Sequence, residues 1–134
     1  MTSLRKILCA EDDPDIRLIL EFSLAQIGGY EICMCEDGAV ALDRIDAFEP
    51  DLVLLDVMMP GISGPQVMQA LRKRPPLRHL PVVLMSARAL PNEIEALLEH
   101  GATGVIVKPF DPVKLPENLK IYWEYARDRA AGSD

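Results

Sequence analysis

Four polar sites in this sequence each follow a short apolar run, and their side chains suit the chemistry of phosphate and divalent cations. The acidic triplet Glu11–Asp13 follows the first run, and Asp56, Ser86 and Lys108 follow three later runs. Carboxylates are oxygen ligands for Mg²⁺, and an aspartate can attack phosphorus as a nucleophile. A lysine and a hydroxyl can stabilise the oxygens of a phosphoryl group in transfer. The four sites together are sufficient for magnesium-dependent phosphoryl transfer to Asp56.

The apolar runs themselves predict the strands that position these sites. Leu52 to Leu55 is short and branched, and it is bounded by Pro50 and by Pro60-Gly61, which is typical of a strand buried on both faces. The same reasoning predicts strands at residues 7–10, 30–35, 52–55, 81–85 and 104–107. Asp56 therefore lies at the carboxyl end of a buried strand, beside a turn.

Helical patterns separate the strands. Asp13-Pro14 is a favourable helix start, Gly28-Gly29 a stop, and Asp37-Gly38 a turn after the second strand. Pro116 should shift the start of the last helix or kink it. The predicted apolar faces are Ile16, Leu20, Leu24 and Ile27; Ala41, Ile45 and Phe48; Val67, Ala70 and Leu71; Ile94, Leu97 and Leu98; and Leu115, Leu119, Tyr122 and Ala126.

Five strands that alternate with five helices predict an α/β fold with a doubly wound parallel sheet. The flavodoxin-like strand order 2-1-3-4-5 places strands 1 and 3 side by side at the switch point, where ligands bind beyond the carboxyl ends of the strands. Glu11, Asp12 and Asp56 should meet there. Ser86 and Lys108 should lie on the same rim.

Converging carboxylates repel one another, and a bound cation relieves the repulsion. Mg²⁺ accepts a few carboxylates and completes its shell with water and phosphate oxygens, and the carbonyl of Met58 is a plausible additional ligand. The triplet leaves a choice of working pair. We prefer Glu11 and Asp12, because Asp13 precedes Pro14 and is better explained as a helix cap, and we keep Asp13 as the alternative.

Bulk properties exclude several functions. The chain has 134 residues, a net charge of −7 and a pI near 4.8, which is the wrong sign for direct binding of nucleic acid. It has no apolar run of the roughly 20 residues that span a bilayer, so we expect a cytoplasmic protein without membrane contact.

One domain should cover residues 1–134, with a core at about 5–128. Cys9, Cys33 and Cys35 are expected to be buried free thiols.

Four segments of the chain carry a family resemblance. Residues 7–17, 51–64, 83–87 and 105–110 resemble, in order, the motifs of the receiver domain of bacterial two-component response regulators. The resemblance covers essentially the whole chain and is strongest to stand-alone, chemotaxis-regulator-like receivers. The short polar tail at residues 131–134 also favours a stand-alone protein.

The resemblance implies a role for each site residue. Asp56 would accept a phosphoryl group from a phosphohistidine on a sensor histidine kinase or a histidine phosphotransfer protein. Asp12 would bind Mg²⁺ directly, Glu11 through water and Met58 by its carbonyl, while Lys108 and Ser86 would contact the phosphoryl group. Such a protein catalyses only its own phosphorylation and dephosphorylation, so it is not an enzyme in the usual sense. It would act as a monomer or weak dimer on a downstream protein target.

One position departs from the family pattern. Many receivers carry Tyr or Phe three residues before the lysine, where this chain has Val105, so the usual aromatic relay to the output surface is in doubt. A second hypothesis is therefore a degenerate receiver that acts as a phosphorylation-independent interaction or dimerisation scaffold. A magnesium-dependent phosphatase is disfavoured, because Met58 occupies the position of its second aspartate. The candidate partner surface is Trp123, Tyr125 and residues 127–129, although Trp123 could equally cover the edge of the core.

Overall fold

The computed structural model describes residues 3–88 and 90–132 of the chain. The strands are β1 (Lys6–Ala10), β2 (Glu31–Cys35), β3 (Leu52–Asp56), β4 (Val82–Ser86) and β5 (Gly104–Val107). The helices are α1 (Pro14–Glu21), α2 (Gly38–Phe48), α3 (Gly64–Arg72), α4 (Pro91–Glu99) and α5 (Leu115–Gly132), with a π-helical segment at Phe22–Ile27 and a 3₁₀ turn at Pro75–Leu77. Each predicted strand is present, with bounds shifted by at most one residue.

The strands form one parallel sheet in the order β2-β1-β3-β4-β5, which confirms the predicted topology. Ile7 pairs with Leu52 and Val53 with Val82, so β3 lies between β1 and β4. All five residues of β3 are buried, as are all five of β4. The carboxyl ends of β1, β3, β4 and β5 therefore lie along one edge of the sheet, which we call the rim.

Alternate residues along the strands enter two separate apolar layers. One layer includes Leu8, Val53 and Leu84, and it packs against α2 and α3. The other includes Leu54 and Met85, and it packs against α1 and α5. Because both faces of the sheet are covered, β3 is a rigid, dry support for the residues at its carboxyl end.

The first helix differs from its prediction. After Glu21 the chain continues as the π-helical segment Phe22–Ile27, which has more residues per turn than an α-helix. The apolar face predicted at α-helical spacing therefore loses its alignment after Leu24, which is fully buried. Ile27, predicted to be on that face, is 40% exposed, whereas Ser23 is fully buried and its hydroxyl donates to the carbonyl of Pro112 at 2.5 Å.

Two further helix boundaries refine the predictions. Asp37 lies in the bend between β2 and α2, and its side chain also accepts a hydrogen bond from the amide of Val40 and caps α2, which begins at Gly38. Pro116 lies in the first turn of α5, which begins at Leu115 as the apolar pattern predicts, and the first turn of a helix tolerates proline. The helix extends to Gly132, and residues 133–134 of the predicted polar tail lie outside the described residues.

Of the two alternatives left open for Trp123, the structure supports packing against the core and not exposure on a partner surface. Its side chain is buried to 8% exposure in the layer that contains Leu115 and Leu119, each one helical turn before the next. Tyr125 is 51% exposed, and the side chains of residues 127–129 are also exposed. Trp123 therefore belongs to the core, and only the rest of the predicted surface reaches solvent.

The opposite edge of the sheet, at the amino ends of β4 and β5, is held by one arginine. The guanidinium of Arg72, at the end of α3, donates to the carbonyls of Leu77 at 3.4 Å, Leu80 at 2.6 Å and Gly101 at 2.9 Å. Burial lowers the pKa of Arg72. These bonds tie two loops to the end of one helix.

Among the described residues, no helix is both long and apolar enough to cross a membrane. The three cysteines are free, as expected, but only Cys9 and Cys35 are fully buried, while Cys33 is partly exposed.

Candidate functional site

Three carboxylates meet at the rim, where the carboxyl ends of β1 and β3 lie side by side. Glu11, Asp12 and Asp56 each offer an oxygen, and these oxygens lie within 4.8 Å of one another. Glu11 is 1% exposed and Asp56 5% exposed, whereas Asp12 faces solvent. A pair of buried acidic groups with one exposed neighbour is open to a hydrated cation from the solvent side.

Lys108 balances this charge from the end of β5. Its Nζ donates to Glu11 Oε1 at 2.8 Å and lies 3.1 Å from Asp56 Oδ1. Burial alone would lower the pKa of Lys108, but its bonds to Glu11 and Asp56 raise it overall. Burial raises the pKa of Glu11, and the bond from Lys108 opposes that shift only in part. One ammonium group therefore bridges the two buried carboxylates.

Ser86 lies at the end of β4 on the same rim, as predicted, but its hydroxyl is engaged locally. The Oγ donates to the carbonyl of Arg88 at 3.0 Å and accepts from the Arg88 amide at 3.1 Å. The guanidinium of Arg88 in turn pairs with Glu93 on α4 at 3.0 Å. The hydroxyl therefore belongs to the β4–α4 loop in this conformation.

Two further candidate metal ligands, the Asp13 carboxylate and the Met58 carbonyl, differ in their surroundings. The side chain of Asp13 accepts a hydrogen bond from the Asp15 amide at 2.8 Å and caps α1, so it is already used. Met58 follows Asp56 by two residues, and its side chain is 78% exposed. A role for the Met58 carbonyl stays a prediction.

Gly64 packs against the backbone of Asp56, and the sequence did not predict this contact. Its amide donates to the Val57 carbonyl at 3.1 Å, and a Cβ at this position would collide with the carbonyl oxygen of Asp56. Only glycine allows the start of α3 to pack so closely against the end of β3. A glycine eight residues after a buried strand-end aspartate is too weak a signal to identify this contact from sequence.

The position without the family's aromatic ring lies next to a ring from α5. Val105 on β5 is partly buried, and Tyr122 packs against the neighbouring Gly104 so closely that a Cβ there would overlap the ring. The Tyr122 hydroxyl donates to the Val105 carbonyl at 3.4 Å. The surface beside β5 is therefore occupied by Tyr122.

Comparison with known proteins defines the class to which this fold and site belong. Residues 7–120 match the response regulator receiver domain family, and the chain belongs to that family. The sheet order and the acidic cluster with its lysine agree with this membership. Receiver domains act in the phosphorelay signalling of two-component systems.

Individual relatives are regulators and receivers. The chain is 38% identical over 116 residues to the phosphate regulon transcriptional regulatory protein PhoB of Escherichia coli, covering 87% of this chain and 50% of PhoB. It is 40% identical over 115 residues to the probable transcriptional regulator ycf27 of Galdieria sulphuraria, covering 86% of this chain and 44% of the relative. The chain thus spans about half the length of the curated relatives it matches.

The solved structures that resemble it are similar in size. The chemotaxis response regulator CheY4 of Vibrio cholerae superposes with a TM-score of 0.82 at 29% identity, covering 90% of this chain and 99% of that chain. The receiver domain of Francisella response regulator 1452 gives the same TM-score at 26% identity, covering 90% and 98%.

Proposed function

We propose that this chain is a phosphorylation-controlled receiver in which Asp56 accepts a phosphoryl group from a phosphohistidine of a histidine kinase or phosphotransfer protein. The observation that carries the proposal is the bridge from Lys108 to the buried carboxylates of Glu11 and Asp56. Together with Asp12 it combines a nucleophile, a metal-binding cluster and a fixed cation in one place. Phosphorylation then changes which proteins the chain binds.

The proposed transfer is a displacement at phosphorus. An Asp56 carboxylate oxygen forms a bond to the phosphorus while the bond from phosphorus to the histidine nitrogen breaks, and the leaving imidazole keeps that electron pair and takes up a proton from solvent. The ammonium group of Lys108 lies 3.1 Å from Asp56 Oδ1. It is therefore close enough to bind the phosphoryl oxygens once the group is transferred to Asp56. Ser86 must release the Arg88 carbonyl before its hydroxyl can donate to the phosphoryl group.

The donor set fits Mg²⁺, which prefers oxygen ligands and keeps several waters. Glu11, Asp12 and Asp56 supply carboxylate oxygens within 4.8 Å of one another, with the Met58 carbonyl as a further candidate. When bound, Mg²⁺ supplies positive charge to the phosphoryl oxygens. Asp12 contributes the exposed carboxylate, and Glu11 contributes a buried one that Lys108 must share.

The test is the intact mass of the chain after incubation with acetyl phosphate, with and without Mg²⁺. We expect a gain of one phosphoryl group that requires Mg²⁺ and is lost in Asp56→Asn. Asp46→Asn is the matched control, because Asp46 is exposed on α2 and pairs only with Arg74 in the described structure; it should be phosphorylated like the wild type. No gain in the wild type, while another receiver is modified under the same conditions, would reject the proposal.

The alternative is a degenerate receiver that serves as a phosphorylation-independent scaffold. Val105 at the usual aromatic position and the locally bonded Ser86 hydroxyl favour it. In that case, affinity for a downstream partner would be the same with and without phosphorylation. A Val105→Tyr variant that gains a large phosphorylation-dependent affinity would show that the relay is absent in the wild type but can be restored.

A further inference from the structure

Arg17, in the first turn of α1, contacts the acidic segment in an unusual way. Its Nη1 donates to the carbonyl of Glu11 at 2.8 Å and to the carbonyl of Asp12 at 2.9 Å. Its backbone amide donates to the carbonyl of Asp13 at 2.9 Å. One residue therefore binds three consecutive carbonyl oxygens of the segment that carries the proposed metal ligands.

Arg17 binds backbone carbonyls, although several carboxylates lie close to it in sequence. Arg17 is surrounded in sequence by Glu11, Asp12, Asp13 and Asp15, yet among the described ion pairs it forms none with any of them. Guanidinium groups bind carboxylates more strongly than neutral carbonyls. The arrangement leaves the carboxylates of Glu11 and Asp12 unoccupied by Arg17 and engages their carbonyls instead.

The position of Arg17 is also unfavourable for an arginine on helical grounds alone. α1 begins at Pro14, so Arg17 lies at the amino end of the helix, where the helix dipole is positive and disfavours a cation. The guanidinium is only partly exposed. Its two hydrogen bonds to Glu11 and Asp12 offset this cost.

The rest of the acidic segment is fixed at its flanks. The Glu11 amide donates to the Cys35 carbonyl at 3.1 Å, which joins the segment to β2. The Asp13 amide donates to Glu11 Oε2 at 3.1 Å. Between these points, Asp12 is the exposed member of the cluster, and its carbonyl accepts the bond from Arg17.

We propose that Arg17 is a positioning residue that preforms the Mg²⁺ site by holding the Glu11 and Asp12 peptide groups, so that the segment presents carboxylates and not carbonyls to the cation. The inference rests on the proposed function, because it assigns Arg17 to that metal site. Arg17 touches neither the phosphoryl group nor the metal; it acts through the backbone of the two ligands.

This role predicts an effect opposite in sign to simple electrostatics. Removing a positive charge near a cation site should tighten Mg²⁺ binding through reduced repulsion. Removing a group that orients metal ligands should weaken it, typically by 10- to 100-fold. The direction of the change in Mg²⁺ affinity therefore separates a positioning role from a bystander charge.

The experiment is a Mg²⁺ titration of the full chain followed by the amide signals of its two-dimensional NMR spectrum, which report binding and folding together. We expect Arg17→Ala to raise the dissociation constant for Mg²⁺ by about 10-fold or more. Arg17→Lys keeps the charge but lacks the planar fork, so its loss should be intermediate. At saturating Mg²⁺, phosphorylation of both variants by acetyl phosphate should approach the wild-type rate.

Arg44→Ala is the matched control. Its guanidinium also donates to a backbone carbonyl, that of Met34 at 3.5 Å, and its removal changes the net charge by the same amount. We expect its Mg²⁺ affinity to stay within about 2-fold of the wild type. If Arg17→Ala does not fold, its spectrum will show it, and Arg17→Lys then carries the test.

The outcomes separate the two proposals. Arg17→Ala that binds Mg²⁺ as tightly as the wild type, or more tightly, overturns the positioning role and leaves the proposed function intact. A wild type that binds no Mg²⁺ and takes up no phosphoryl group overturns the proposed function itself. An equal loss in Arg44→Ala would show that the effect does not depend on the contacts of Arg17 with the acidic segment, and would also overturn the positioning role.

Discussion

The two halves of the rim hold their polar groups in different ways. In the charged half, formed by β1, β3 and β5, Lys108 bridges Glu11 and Asp56 across 97 and 52 positions of sequence. In the hydroxyl half, formed by the end of β4 and by α4, the Ser86 hydroxyl bonds to Arg88, two residues away. The charged half is fixed by the tertiary fold, whereas the hydroxyl half is satisfied within its own loop.

The two halves of the rim also differ in how deeply their supporting elements, β3 and α4, are buried. β3 is buried throughout, and it supports Asp56 directly. No residue of α4 is fully buried, and Leu98 on that helix is 44% exposed. A helix with few core contacts can shift at low cost. If Asp56 is phosphorylated as proposed, this difference predicts that the charged half changes little and that the hydroxyl half rearranges.

The largest expected effect tests whether β3 contributes more to the free energy of unfolding than α4 does. Leu54→Ala removes a fully buried side chain from β3 and should lower the free energy of unfolding by roughly 4 kcal/mol. Leu98→Ala makes the same change on α4 and should cost about 0.5 kcal/mol or less. Urea denaturation measures both values. Similar losses for the two variants would contradict the division between centre and edge.

The next effect concerns the bridge itself. Lys108→Ala leaves the carboxylates of Glu11 and Asp56 buried without their cation, and without Mg²⁺ it should cost roughly 3 kcal/mol of unfolding free energy. Mg²⁺ should recover more stability in this variant than in the wild type, because it replaces the lost positive charge. Thermal denaturation with and without Mg²⁺ measures the recovery. Equal responses to Mg²⁺ would mean that Lys108 does not balance the cluster.

A third prediction uses the buried thiol beside the charged half. Burial raises the pKa of Cys35 to about 12 from its ordinary value near 9. Above pH 9 the thiol ionises in the unfolded chain but stays neutral in the folded one, so stability should fall as pH rises, by at most about 1.4 kcal/mol per pH unit from this group. Urea midpoints from pH 8 to 10 measure the slope, and Cys35→Ala should reduce it. An unchanged slope would show that Cys35 ionises in the folded chain.

The smallest effect belongs to the hydroxyl half. Ser86→Ala removes two local hydrogen bonds and should cost about 1 kcal/mol of stability, with a smaller loss of phosphoryl uptake than Lys108→Ala. Ser86→Thr keeps the hydroxyl and serves as the control. Mass spectrometry during reaction with acetyl phosphate follows the uptake. If Ser86→Ala loses as much phosphoryl uptake as Lys108→Ala, the two halves of the rim contribute equally to the reaction.

The topology and the positions of the site residues could be predicted from the sequence because both depend on local patterns. Apolar runs that end in a polar residue locate the strands, and a parallel sheet brings their carboxyl ends to one edge. The cluster of Glu11, Asp12 and Asp56, with Lys108 beside it, follows from that geometry alone.

The errors arose where a side chain's partner depends on backbone detail. The π-helical segment after Glu21 broke the α-helical spacing and exposed Ile27. The burial of Trp123, which the sequence left open, depends on how α5 docks, which the spacing of Leu115 and Leu119 indicates only in hindsight. The bond from Ser86 to Arg88 depends on the conformation of a loop, and hydrophobic periodicity contains no information about it.

Arg72 gives the two edges of the sheet different responses to ionic strength. Its guanidinium holds the loops at the amino ends of β4 and β5 through uncharged carbonyls, and dissolved ions screen such bonds less than they screen pairs of opposite charges. Concentrated salt should therefore weaken the contacts of Lys108 at the rim more than those of Arg72, but only slightly, because the carboxylates of Glu11 and Asp56 are buried and buried pairs are screened little. The two ends of the strands thus differ in the kind of bond that holds them, with ion pairs at the rim and bonds to uncharged carbonyls at the opposite edge.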